Sequence, residues 1–205
     1  MKKSFILFSL VAGLCYLVLS GNASGPGSTS GVERTGASGT SGCGGAGCHN
    51  TVTVGTSVGV TVQLLSGATP VTSYTPGSSY TIKISGTNTS TSTTSSLPRF
   101  GFQVSACVGT TTANAGTLSA IAGTHSVAPT GGSGVIVIEH SSPIVATTGT
   151  GSSGSTYVVS IPWTAPVAGT GSVTLRCALN AVNFTGSSAG DAYSTASATI
   201  TAVSY

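Results

Sequence analysis

Apolar and polar residues alternate in short runs along most of the chain. Val52, Val54, Val58, Val60 and Val62 recur at even spacing, Tyr80, Ile82 and Ile84 at every second residue, and so do Phe100, Phe102 and Val104. A period of two sends successive side chains to opposite faces, so each run predicts a half-buried strand. Further strands are predicted at 135–139, 157–163, 173–179 and 196–203, and no window keeps a helical period through three turns. Seven to eight short strands parted by turn residues predict an all-β fold, an antiparallel Ig-like β-sandwich. Trp163, the single tryptophan, is expected to anchor the core between the sheets.

The N-terminal quarter breaks this pattern twice. Lys2 and Lys3 precede an apolar run over 5–19, and Gly21-Asn22-Ala23 supplies small residues, so residues 1–23 read as a secretory signal cleaved after Ala23. Residues 24–50 are rich in Gly, Ser and Thr without apolar periodicity and predict a flexible arm. The sandwich domain is expected over 51–205, with no membrane-spanning segment. Two further low-complexity stretches, 87–96 and 147–155, read as exposed connections without chemistry of their own.

Charge narrows the function classes. Without Lys2 and Lys3 the formal charge falls from +3 to +1, carried by Glu33, Arg34, Lys83, Arg99, Glu139, Arg176 and Asp191. Nucleic-acid binding needs clustered Lys and Arg, which this chain lacks. Three carboxylates give little scope for paired acid–base hydrolysis, and no Gly-x-Ser-x-Gly elbow is present, so no enzyme is expected. Arg99 is expected to lie over an aromatic ring or cap an edge, and Asp191 to organise its turn. So uncharged a chain carries almost no protection against strand edges pairing. Copies of itself are therefore expected partners, as a homo-oligomer or filament.

The cysteines carry the candidate chemistry. Cys43-Gly-Gly-Ala-Gly-Cys48-His49 is a widened form of the Cys-x-x-Cys-His signature, in which two thiols hold a c-type haem and the histidine ligates its iron. Glycine-rich spacing lets both sulfurs reach one ligand. Three readings stay open: haem c on Cys43, Cys48 and His49; a Cys43–Cys48 disulfide; or zinc held by Cys43, Cys48, His49 and His140. The only methionine is Met1, so a His/Met pair is excluded and the second iron ligand is left open between His140, His125 and none. Cys107 and Cys177 fall in predicted strands and, by parity in an oxidising compartment, are expected to form a disulfide.

Several segments taken in order resemble a known family. They are Tyr74-Thr-Pro-Gly-Ser-Ser-Tyr80-Thr-Ile, Arg99-Phe-Gly-Phe-Gln103, Ile138-Glu139-His140, Trp163-Thr-Ala-Pro166, Gly169-Thr-Gly171 and Asn180-Ala-Val-Asn183 running to Gly190-Asp191. Over residues 35–203 this resembles the Reeler-like, choice-of-anchor β-sandwich modules of secreted bacterial proteins. Many of those begin with a Thr-Gly-Ala stretch before Cys-x-x-Cys-His, here Thr35-Gly-Ala before Cys43, and place a histidine where His140 stands. The resemblance implies a secreted or cell-surface protein, periplasmic in some settings. It departs from the family in the wide cysteine spacing and in the Cys107 and Cys177 pair. No sorting domain follows the last strand, so any surface attachment is expected to be non-covalent. Electron transfer or haem-based sensing with a redox partner is the expected role. A structural or adhesive surface module or filament subunit, with Cys43–Cys48 as a disulfide, is the alternative.

Overall fold

The computed structural model describes residues 24–44, 49, 54–92, 96–131 and 134–203. Among the described residues, twelve strands form two sheets: β1 (Val58–Ser66), β2 (Thr69–Val71), β3 (Ser73–Tyr74), β4 (Ser79–Asn88), β5 (Arg99–Val108), β6 (Thr117–Leu118), β7 (Thr124–Val127), β8 (Val137–His140), β9 (Ile144–Val145), β10 (Thr156–Thr164), β11 (Val173–Val182) and β12 (Ala192–Ala202). One sheet runs β2-β1-β4-β10-β6 and the other β3-β12-β11-β5-β8-β7, with β9 on β5. Every pairing is antiparallel except β3 with β12. The expected sandwich is there, and the long alternating runs became its long strands. Among the described residues, no helix is long and apolar enough to cross a membrane.

Alternation builds the core. Ile82, Ile84, Tyr157 and Ile161 of one sheet face Phe100, Phe102, Leu175 and Leu179 of the other, all buried. Trp163 sits among them as expected, its indole N–H donating to Ala115 O at 2.9 Å and its ring meeting Tyr74 edge-on at 5.7 Å. Cys177 shares this core.

The seven-stranded sheet is buried on its outer face as well. A second, smaller apolar cluster of Ala37, Cys107, Val135 and Val137 lies there. Over it runs the N-terminal segment, comprising a short helix α1 (Pro26–Ser30), an extended stretch and a 3₁₀ turn at Gly42–Gly44. Glu33, Thr35 and Ala37 of that stretch alternate inward and are buried. Residues 24–44 are thus docked, not a flexible arm. Apolar periodicity is absent because polar groups fasten the segment.

The two low-complexity connections also pack. The Asn88 amide donates to Gly151 O at 2.7 Å, Asn88 Oδ1 accepts from Ser90 N, and Gly151 lies so close to Leu97 that a Cβ there would meet backbone at 2.7 Å. Asn88, Ser90, Gly151 and Ser155 are buried where the two loops meet, while most of the other described residues of both stretches are exposed, as expected.

Candidate functional site

Docking of the N-terminal segment centres on two buried carboxylates. Glu139 on β8 accepts from Gly27 N and Ser28 N of α1, each at 2.8 Å, from Gln103 Nε2 at 2.7 Å, and lies 2.8 Å from His125 Nε2 on β7. Gly25 and Gly27 permit this approach, since a Cβ on Gly25 would lie 2.2 Å from the Glu139 carboxyl carbon. Burial pushes the Glu139 carboxyl up, but donors from Gln103, Gly27, Ser28 and His125 outweigh it and hold the pKa below its ordinary value. Glu33, on the segment itself, accepts from Thr35 Oγ1, from Ser38 N and Oγ and from Thr40 Oγ1, with the same net direction against the same desolvation. Gln103 adds a third tie, accepting from Arg34 N at 2.6 Å and donating to Val32 O at 3.2 Å.

So fastened, the segment brings the cysteine–histidine motif to the end of β12. Gly42 lies against Thr195 and Gly44 against the Tyr193 ring. Cys43 is half-buried on the 3₁₀ turn between them, and its carbonyl accepts from His49 N at 3.1 Å. Cys48 lies outside the described residues. His49 Nδ1 sits 2.8 Å from Asp191 Oδ2, an ion-pair distance without hydrogen-bond alignment, and the ring is about a third exposed. Asp191 is buried and accepts from Asn183 N at 2.9 Å through its other oxygen. A carboxylate at Nδ1 orients an imidazole and leaves Nε2 for a metal, the arrangement common to metal-binding histidines. One row inward, Asn180 Oδ1 is buried without a hydrogen-bond partner. Beside Tyr193, a groove of about 350 Å³ opens between residues 56–58 and 192–195.

The remaining sequence-predicted residues lie elsewhere. His140 is buried where β8 leaves β5, its Nδ1 accepting from Phe102 N at 3.0 Å in place of a ladder carbonyl, and its ring fills the space over Gly101. Burial lowers its pKa despite the Phe102 contact. With its ring over Gly101 of β5, His140 is two strand spacings, about 10 Å, from β12, at whose head His49 sits. His49 and His140 are therefore not brought together, and among the described residues no three His, Cys, Asp or Glu side chains form a metal-holding group. His125 is engaged with Glu139.

The expected Cys107–Cys177 disulfide is not formed; both are thiols. Their strands do pair, but Cys107 stands opposite Thr174 and Cys177 opposite Val104. That is three residues out of register, about 10 Å along the strand. An odd offset also puts the two on opposite faces, and Cα atoms more than about 7 Å apart cannot be bridged. Desolvation pushes the Cys177 thiol up to about 12 and raises that of Cys107.

Arg99 lies over an aromatic ring as expected, its guanidinium 4.5 Å from the centre of Phe184. Asp191 does organise its turn, and its hold on His49 is the site contact that sequence reasoning missed.

No family profile and no curated protein matches the sequence. Among solved structures, the chain is similar to the Reelin-N domain of F-spondin, with 19% identity, 71% of this chain and 86% of that one covered, and a TM-score of 0.44. It is similar to the human F-spondin reeler domain, with 18% identity, 75% and 91% coverage and a TM-score of 0.43. It is also similar to a CARDB domain from Pyrococcus furiosus solved with di-metal ions, with 8% identity, 75% and 94% coverage and a TM-score of 0.40. At these scores the fold assignment rests on the strand order and register above.

Proposed function

We propose that this is a secreted or cell-surface β-sandwich protein that carries one c-type haem on its N-terminal segment, bonded through Cys43 and Cys48 with His49 on the iron. The observation that carries the reading is the buried Asp191 carboxylate 2.8 Å from His49 Nδ1. The donor set fits the group: a half-buried sulfur on a turn, and a part-exposed imidazole whose Nδ1 lies 2.8 Å from a buried carboxylate. When bound, haem supplies a one-electron iron couple suited to electron transfer or sensing. The chain's own part is to hold and aim. Glu139, Glu33 and Gln103 fasten the segment, Cys43 and Cys48 tether, and Asp191 with Asn183 fixes the imidazole.

Co-expression with a cytochrome c maturation system tests this. Wild type is expected to stain for haem peroxidase after denaturing electrophoresis and to gain the mass of haem. Cys43→Ala and Cys48→Ala are expected to lose the covalent link. A colourless band of bare polypeptide mass overturns the proposal and leaves the local disulfide.

A second reading, a self-associating structural module, draws on the β12 edge. Among the described residues β3 pairs only with Thr201 and Ala202, so residues 192–200 have a strand on one side alone and carry no charge. Such an edge invites pairing with another copy. Light scattering is expected to find oligomers; a strict monomer at high concentration removes this reading.

A further inference from the structure

We propose that the exposed corner formed by Arg99, Phe184 and Val145 is a docking surface for an acidic segment of a partner protein, one that sets a carboxylate beside an apolar side chain. The proposal is independent of the haem reading.

The corner is held by a specific local structure. Among the described residues, Phe184 is the one non-glycine residue with a positive φ, at 60°. A β-carbon disfavours that left-handed region, which Gly and Asn enter more readily. Asn183 fixes the chain there. Its Oδ1 accepts from Thr185 N at 3.2 Å and from Thr185 Oγ1 at 2.8 Å, and its Nδ2 donates to Ala189 O at 2.8 Å. The phenyl ring so placed is 57% exposed. Backbone strain spent on an exposed aromatic points to binding, since it serves no core. The Arg99 guanidinium lies 4.5 Å from the centre of that ring and donates through Nη1 to Pro143 O at 3.2 Å, which fixes its plane. Val145 stands opposite Arg99 in the β5–β9 pairing and is 60% exposed. An oriented cation therefore sits between two apolar groups that face solvent.

Charge selects the occupant. The chain has three acidic side chains, Glu33, Glu139 and Asp191, and all three are buried. Arg34, Lys83, Arg99 and Arg176 are each partly exposed. A formal charge near zero thus hides a surface whose side-chain charge is positive, and such a field steers acidic partners towards it. A guanidinium keeps donors to spare after one carbonyl contact, and a carboxylate accepts two of them. A second copy of this chain has no exposed acidic side chain to offer, so the partner is a different molecule. An anionic polysaccharide brings carboxylates but nothing apolar to cover Phe184 and Val145, which favours a protein.

Amide spectra of the ¹⁵N-labelled mature chain test this, with short capped peptides that alternate Glu with Leu or Lys with Leu as probes. The Glu–Leu peptide is expected to shift the amides of Arg99, Val145 and Phe184, and to bind more weakly as salt is raised. Arg99→Gln and Phe184→Asn are each expected to weaken binding about tenfold. Phe184→Asn is also expected to leave the melting temperature unchanged or higher, because Asn accepts the same backbone conformation. A marked fall in its melting temperature would show that the ring is packing, and would overturn the proposal. So would binding that both variants retain, binding that salt leaves unchanged, an equal response to the Lys–Leu peptide, or no response to either peptide. An oligogalacturonate that shifts the same amides as strongly overturns it in favour of a polysaccharide.

Discussion

Two histidine–carboxylate pairs stand on the same sheet, His125 with Glu139 towards one edge and His49 with Asp191 towards the other. Each pair is separated by 2.8 Å, each ring is about 30% exposed, and each carboxylate is buried. Their surroundings separate them. Glu139 collects three further donors, two from the helix it fastens, so His125 is an accessory to a structural anchor. Asp191 accepts a hydrogen bond from Asn183 N on one oxygen, and its second oxygen lies 2.8 Å from His49 Nδ1. The same pair chemistry serves docking where the carboxylate is crowded with donors, and orientation where it is not.

The strongest way to break this contrast is to remove the crowded carboxylate. Glu139→Ala leaves two backbone amides and the Gln103 amide unmatched, and a loss of about 3–5 kcal/mol is expected in denaturant unfolding. Hydrogen exchange should rise first over residues 25–38. If that segment stays protected, Glu139 is not its anchor. Asp191→Ala should cost less, about 1–2 kcal/mol for one orphaned amide and a freed ring. It should also reduce haem retention on His49 while leaving protection at residues 25–38 intact; equal loss at both places would erase the distinction drawn here. His125→Ala should be the mildest, within about 1 kcal/mol, as befits a half-exposed ion pair.

Acid sharpens the comparison in two windows. His140 has a lowered folded-state pKa, so the unfolded chain binds the extra proton, and stability should begin to fall as pH drops below 6.5. Glu139 and Glu33 are lowered from 4.5, so their contribution is complete above that value and is lost as pH falls through their folded-state pKa values. Melting temperature against pH should show both limbs, with His140→Gln flattening the first and Glu139→Gln the second. An unchanged profile in either variant would reassign that limb.

The long strands were legible because packing alone fixes them: Ile82, Ile84, Phe100 and Phe102 had to share faces. The docked N-terminal segment was not, since Ser, Thr and Gly there read as solvent-loving until Glu33 and Glu139 are seen to need their donors. Cysteine parity misled because pairing two strands does not set their register, and register decides whether Cys107 can meet Cys177. The haem-like motif was visible from spacing. Asp191 was not, because the contact joins the start of the described chain to its last strand and no local pattern announces it.

That long-range closure sets an order of events during synthesis. The groups that receive residues 24–44 and His49 are Gln103, Ser105, Glu139, Asp191, Tyr193 and Thr195, all of which emerge later. The cysteine-bearing segment therefore emerges first and settles last, as expected for contacts of high sequence separation. Until the final strand has been made, Cys43 and His49 have no fold to retreat into. The chain leaves this segment open to solvent for the whole of that interval, then locks it down with the last residues to arrive.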